Sequence, residues 1–324
     1  MAIAKYGLRN FFENVELVSG PGCPVCVTAS NRLEQCVKLA SGKNTIMTAF
    51  GDMLRVPAIT SSLAKELSVG ADIRVVYSAY EPLKIALENP GKEVIFVGAG
   101  FETTAPLAAS LIDEAYVKKI KNLTLFSMFK TVFPALDVIS RAENLKIDGF
   151  LLPGNVSSIT GSRAFSCIAE KFGIPGVISG FAESEIIKAV NTLSDLIKNK
   201  KNVVKNEYES VVSKPGNLKA QKLLTKVFDL KDDDWRGFGK IKKSGFRLKE
   251  KYSAFDAEKK FAVKPVKAVK DACRCGDIMR GNITPDKCRL FAKKCVPENP
   301  VGPCMVSSEG VCAAHYKYSL KCGV

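Results

Sequence analysis

The sequence predicts an α/β protein made of two small parallel-sheet α/β domains and a cysteine-rich C-terminal domain. Three observations carry that prediction. Short apolar runs alternate with amphipathic stretches through residues 1–200, as in strand–helix–strand units. The alternation restarts, which divides the candidate strands between two units rather than one large sheet. Seven of the eleven cysteines fall in the last fifty-two residues, where Gly and Pro are also prominent.

The elements follow in chain order. Strands are predicted at Asn14–Ser19, Thr45–Phe50, Asp72–Tyr77, Glu93–Gly98, Leu123–Met128, Gly149–Leu152 and Gly176–Ser179. Most are rich in β-branched or aromatic residues and have Gly, Ser or Pro at or near an end. Helical periodicity predicts short helices at Ser62–Leu67 and Glu81–Leu87. Longer ones are predicted at Thr104–Ile120, Pro134–Asn144, Ser162–Lys171 and Ala182–Lys198. From Lys200 the chain is charged and poor in strand signal. Gly216–Val227 reads as a helix, and WRGFGKIKKSGFRL as an ordered loop carrying the only Trp. The expected organisation is therefore residues 1–88 and 89–200 as α/β domains, 201–268 as a segment packing on them, and 269–324 as the cysteine domain. That last segment has little apolar core of its own and is expected to fold around metal.

Bulk properties narrow the function. No apolar run approaches the roughly twenty residues of a membrane-spanning helix. The N-terminus lacks a signal peptide's apolar stretch, so a cytoplasmic protein without membrane contact is expected. Cytoplasmic thiols stay reduced unless they hold metal or do redox chemistry, which disfavours a disulfide framework. The net charge is +15. The lysines are scattered among glutamates with little aromatic interleaving, which speaks against nucleic acid and leaves a mild preference for an acidic protein partner.

Ligands of open α/β sheets gather at the carboxyl ends of strands. GPGCPVCVT, GDMLRVP, GAGFETTAP and PGNVSSITG all follow predicted strands. Cys23 and Cys26 form a Cys-x-x-Cys at a helix start. That pattern suits a dithiol–disulfide couple or an exposed ligand pair; residues 27–166 offer only Cys36 to complete a zinc site. GAGFETT lacks the third glycine of a dinucleotide loop. Glu102, Thr103 and Thr104 there offer polar groups to an inter-domain cleft. The tail reads Cys273-x-Cys275, then gaps of twelve, six, eight and seven residues to Cys288, Cys295, Cys304 and Cys312. Zinc ribbons use Cys-x₂₋₄-Cys pairs and ferredoxin-type runs use Cys-x₂-Cys, both absent here. The long gaps suit an iron–sulfur cluster with ligands from separate turns; zinc or disulfides are the alternatives. Cys36 and Cys167 are expected to be core residues, His315 a packed or capping residue, and Cys322 has no assignable role.

Read together, GLRNFF, SGPGCPVCVT, FGDMLRVP, GFETTAP, IDGFLLPGNVSSITG, WRGFGKI, CRCGDIMRG and CVPENPVGPCMVSSEGVCAAHYKY resemble the HypD family of hydrogenase maturation factors, in order and over nearly the whole chain. The resemblance implies two α/β domains and a third domain with a [4Fe-4S] cluster. It implies a redox-active assembly scaffold rather than a conventional enzyme. With a HypC-type small partner it would hold an iron that becomes the Fe(CN)2CO unit of [NiFe]-hydrogenase, with a HypE-type partner as cyanide donor. By position, Cys273, Cys288, Cys295 and Cys312 are the implied cluster ligands. Cys275 and Cys304 are the implied dithiol beside the cluster, and Cys23 and Cys26 the central dithiol. Gly100, Phe101, Glu102, Thr103, Thr104 and Asn155 are expected to line the cleft. Some positions depart from the family. Its Cys-Gly-Thr-His opening is not found before Ala2-Ile3, two of its histidines are replaced by Phe129 and Asn155, and its Gly-Phe-Glu-Pro reads Gly-Phe-Ala182-Glu183. The alternative is a divergent or truncated, non-catalytic metal-binding module that docks a partner.

Overall fold

The computed structural model describes residues 1–319 except 144, 268, 270 and 271. Strands β1 (Thr45–Ala49), β2 (Ile73–Val75), β3 (Glu93–Gly100) and β4 (Leu123–Phe129) form one sheet in the order β2-β1-β3-β4, every pair parallel. β1 and β4 are buried throughout and β3 after Glu93, as expected when helices cover both faces of a parallel sheet. Alternate residues feed opposite faces. Ile95, Val97 and Phe126 join Leu33 and Val37 in one core; Val94, Phe96 and Leu125 join Ala108, Leu111 and Ile112 in another. Each such buried aliphatic or aromatic side chain contributes about 1.5–3 kcal/mol.

A second parallel sheet contains β5 (Phe150–Pro153), β6 (Gly176–Ser179) and β7 (Val204–Asn206), in that order. Helix Glu183–Lys198 packs on it through Ala189, Leu193 and Leu196. The mixed α/β class with parallel sheets agrees with the sequence expectation. The expected boundary at 88/89 does not: β1 pairs with β3 across it, so it falls inside one sheet.

Two further expectations are corrected. Asn14–Ser19 is not a strand. It runs without a ladder partner, and Arg9 donates to the Leu17 carbonyl and, at 2.8 Å, to Ser19 Oγ. The segment expected to lack strands contains β7 and an antiparallel hairpin, β8 (Phe228–Trp235) and β9 (Gly239–Leu248). The hairpin docks on the end of the first sheet. Thr131 N–H donates to Ser244 O at 3.0 Å, and Ser127 Oγ donates to Phe246 O at 2.7 Å. The charged run Lys-Asp-Asp-Asp in β8 hid this strand from a hydrophobicity pattern; its anchors are Phe228, Asp233 and Trp235.

Helices Leu63–Ser68, Glu81–Glu88, Ala105–Val117, Val132–Ser140, Glu183–Lys198 and Leu218–Val227 fall close to their predicted places. The expected end of the fourth, Asn144, lies outside the described residues. The predicted Ser162–Lys171 helix is split into a 3-10 turn, Ser162–Phe165, and a helix, Ser166–Phe172. In the cysteine-rich segment the ordered pieces are short: helix Cys275–Met279, 3-10 turns at Pro285–Lys287 and Pro303–Met305, and helix Val311–Tyr318. Cys275, Ile278, Met279, Met305 and Val306 nevertheless share a core with Val27, Met53 and Trp235. Among the described residues, no helix is long and apolar enough to cross a membrane.

Candidate functional site

Helix Pro24–Val27 opens with proline, whose missing N–H and fixed φ suit a first helical turn. Cys23 precedes it, and its Sγ accepts from Cys26 N–H at 3.1 Å. The two cysteines are disulfide-bonded, with Cα atoms 5.2 Å apart, and both are buried. The Cys-x-x-Cys turn is thus built to bring two sulfurs into bonding reach.

The tip of the β8–β9 hairpin clasps this turn. Thr28 bridges to Trp235, and Arg236 N–H donates to Val27 O at 2.8 Å. On its other side the tip meets the tail. Gly237, at φ +81, lies with its Cα against Gly276, so a Cβ on either would collide with the other backbone. One tight turn therefore touches both the Cys23–Cys26 helix and the helix that Cys275 opens. Trp235 is fixed beneath it. Its Nε1–H donates to Ser244 Oγ at 2.9 Å, and its ring stacks on Phe101 at 6.1 Å between centroids. Lys130 and Asp233 form a buried ion pair at 2.8 Å under the same indole. Burial pushes the Lys130 ammonium below its ordinary pKa, and Asp233 opposes that shift.

The tail thiols converge. Cys275 acts on the Cys273 thiol, and Cys304 on that of Cys275. The hydrogen bond to Cys275, then burial, raises the Cys273 thiol pKa. Cys275 is pushed up to about 12: the bond from Cys273 lowers it, but the contact with Cys304 and burial prevail. Burial raises Cys312 as well, reinforced by Cys273, Cys295, Cys275 and Cys288, whose negative charges would gather around it. Cys295 Sγ accepts from Val301 N–H at 3.3 Å. Gly302 leaves room for the Cys273 sulfur, and Gly310 for the Cys304 backbone. The turn Pro303–Met305 packs on helix Pro24–Val27, which sets Cys304 in the same core as Cys23 and Cys26. Among the described residues, no group of three or more His, Cys, Asp or Glu is placed to hold a metal ion.

The loop after β3 behaves differently. Gly100 O accepts from Lys130 N–H at 2.9 Å, and Phe101 is buried against Trp235. Glu102 is buried; its Oε1 accepts from Thr131 Oγ1 at 2.5 Å and Val132 N–H at 3.0 Å, while Oε2 has no hydrogen-bond partner among the described residues. Desolvation raises its pKa above the usual carboxylate range, and those hydrogen bonds oppose the shift. Thr103 and Thr104 are half-buried. Asn155 is exposed, and its Oδ1 accepts from Val156 N–H at 2.9 Å in its own helix, Gly154–Thr160. No hydrogen bond joins it to Glu102. Phe129, which stands at a histidine position of the resembling family, is fully buried and packs edge-on against Phe228. Cys36 is a core residue as expected; Cys167 is not, being exposed on Ser166–Phe172. His315 packs against the Phe291 ring. Cys322 lies outside the described residues.

The residues that the sequence reading passed over are Arg236, Gly237 and Gly276. Their signal was available in Trp-Arg-Gly-Phe-Gly, two glycines flanking an aromatic, both observed at positive φ. Nothing local in that string named Gly276 as its contact.

Fold and site define a class: an α/β protein whose Cys-x-x-Cys turn is joined by a hairpin clasp to a cysteine-rich C-terminal segment. The comparisons make the class particular. Residues 1–319 match the HypD family model, described as "Hydrogenase formation hypA family". The chain is 40% identical over 327 residues to hydrogenase maturation factor HypD2 of Bradyrhizobium diazoefficiens, covering 98% of this chain and 86% of that protein. It is 41% identical over 320 residues to hydrogenase maturation factor HypD of Escherichia coli, and 40% over 326 residues to that of Azotobacter vinelandii, with the same coverage. The chain belongs to the HypD family, and its role lies in hydrogenase maturation.

Proposed function

We propose that this chain is the redox scaffold on which the Fe(CN)2CO unit of [NiFe]-hydrogenase is assembled, together with a HypC-type small protein and a HypE-type cyanide donor. The iron that receives cyanide and carbon monoxide is its substrate. Cys273, Cys288, Cys295 and Cys312 would hold a [4Fe-4S] cluster, a one-electron carrier. These thiols gather about Cys312, whose pKa burial raises with reinforcement from Cys273, Cys295, Cys275 and Cys288, but among the described residues they are not set as a metal site, so the assignment rests on the family's cysteine spacing. Cys275 with Cys304, and Cys23 with Cys26, would act as two-electron dithiols. The single observation that supports this reading most is the packing of the Cys304 turn on the Cys23–Cys26 helix. It brings the tail thiols and the Cys-x-x-Cys pair into one core. Electrons for a reductive ligand transfer would then have a short protein route.

The test is complementation. A host lacking its own HypD, given the Cys23→Ala, Cys26→Ala variant, is expected to yield hydrogenase large subunit without nickel–iron centre and at least tenfold less activity, at unchanged variant abundance. Maturation at the level of the unaltered protein would remove the redox role. A second reading, a non-catalytic metal-binding docking module, draws on Phe129, which sits in the core where the family has a histidine. In that case the double variant would mature hydrogenase normally while still binding its partners.

A further inference from the structure

Gly-Asp-Met-Leu-Arg-Val-Pro, residues 51–57, follows β1 and has no part in the proposed redox chemistry. Met53 and Val56 are buried, and Arg55 between them is exposed. Asp52, the acid nearest to Arg55 in sequence, accepts from Ser307 Oγ at 2.9 Å. Arg55 itself forms no hydrogen bond or ion pair among the described residues. It borders a cavity of about 480 Å³ between the body and the tail, a volume within the range of small-molecule sites. Pro297, Met305, Val306 and Ala313 give this cavity an apolar wall. Ala313, Tyr316 and Lys317 come from helix Val311–Tyr318 at i, i+3 and i+4, which sets them on one face. Lys317 is exposed and lies over the Tyr318 ring at 5.3 Å, with no carboxylate partner among the described residues. The Tyr316 ring is held edge-on by Phe291 at 6.1 Å, and its hydroxyl makes no hydrogen bond among the described residues. No acidic residue lines the cavity among the described residues.

We infer that this cavity binds a small organic carboxylate with a short apolar body, which joins the loop after β1 to the tail. The chemistry of the lining selects that class. A guanidinium presents a planar fork of donors that matches a carboxylate, and Arg55 has no carboxylate of its own chain to occupy it. Lys317 adds a second positive charge and Tyr316 a hydroxyl. Two cations that share one cavity without an acid repel each other, and a bound anion relieves that repulsion. The wall of Pro297, Met305, Val306 and Ala313 offers nothing to a bare inorganic anion but takes up methylene groups. The lining comes from both the body and the tail, so an occupant favours the state in which the two are packed together. Binding is non-covalent, and the inference stands apart from whatever the tail cysteines hold.

The experiment titrates the full chain, purified without oxygen, with sodium hexanoate in a calorimeter. Acetate, 1-hexanol, hexylammonium and inorganic phosphate are the comparison probes. Hexanoate is expected to bind, and acetate at least about tenfold more weakly, because it lacks the methylenes that the apolar wall covers. Hexanol, hexylammonium and phosphate are each expected to bind more weakly than hexanoate. Arg55→Gln should weaken hexanoate by about tenfold. Lys317→Gln should weaken it by a smaller factor, about threefold. Both side chains are exposed, so neither change should disturb the fold. Ala313→Phe, which fills the cavity, should abolish binding, with its far-UV spectrum compared to that of the unaltered protein. Lys242→Gln with Lys243→Gln, exposed on β9, is the charge control and should bind as the unaltered protein does. Hydrogen exchange locates the site: hexanoate should slow exchange in residues 52–56 and 303–318 and leave helix Glu183–Lys198 unchanged. Absence of hexanoate binding overturns the inference. So does phosphate or hexylammonium binding as tightly as hexanoate, equal affinity in Arg55→Gln, an equal loss in the β9 control, or protection confined to other parts of the chain.

Discussion

β1, β3 and β4 hold their place by burying apolar side chains on both faces, with long helices over them. Residues 273–319 have four ordered pieces, none longer than eight residues, and are positioned by glycine approaches and a shared wall with the body. The first region is built by area and would fold with many substitutions of similar volume. The second depends on few contacts, each with little tolerance. The sheets supply free energy, while the tail borrows its rigidity from the hairpin clasp.

The steepest loss is expected in the body. Lys130→Met leaves Asp233 buried without its cation and is expected to destabilise by about 3–5 kcal/mol in urea unfolding. Adding Asp233→Leu should recover most of that loss, since it is uncompensated charge rather than the pair itself that is unfavourable. A double variant as unstable as the single one would mean that the pair holds the hairpin in a way apolar packing cannot replace.

Next comes the clasp. Gly237→Ala forces a Cβ into the Gly276 backbone at a positive φ, with an expected loss of about 3 kcal/mol. Gly239→Ala, at φ +76 but with open space around it, should cost only about 1–2 kcal/mol. Equal losses would show that backbone conformation, not the approach of hairpin to tail, dominates there.

A smaller effect tests how the segment after the hairpin is tied to the first sheet. Arg32 donates to both oxygens of Glu258 and, at 3.0 Å, to Ser127 O. Burial raises the Glu258 pKa, but the Arg32 hydrogen bonds outweigh it and leave the group below its ordinary value. A carboxylate depressed in the folded state stabilises above its unfolded pKa and loses that contribution as pH falls through the folded one. Arg32→Met should therefore be about 1–3 kcal/mol less stable than the unaltered protein at pH 7. The gap narrows as pH drops below the glutamate range. A gap constant with pH would assign the loss to packing over Phe126 instead.

Most of the body was legible because its signals are periodic. Runs such as Val94–Val97 and Leu123–Phe126 leave little choice for a chain that must bury both faces of a sheet. The β8 strand was not, because its only apolar exposed residue is Leu230, between acidic Asp229 and Asp232, and its buried ones include Asp233, which is tolerable only beside Lys130. Helix and strand signals also gave no means to see that β1 and β3 are neighbours across residue 88; strand order depends on contacts far apart in sequence. In the tail, cysteine spacing singled out the residues, and the mutual influence of the Cys273, Cys275 and Cys304 thiols could not be read from spacing alone. The hairpin clasp was illegible for the same reason: Gly237 and Gly276 have no local pattern in common.

Whether the tail sulfurs cage inorganic iron decides the proposed function. Iron, acid-labile sulfide and zinc should be quantified together in protein purified without oxygen, alongside Cys288→Ala. The expected result is about four iron and four sulfide per chain with visible absorbance that bleaches on reduction, lost in the variant while the far-UV spectrum of the α/β body persists. Stoichiometric zinc with neither iron nor sulfide would contradict it.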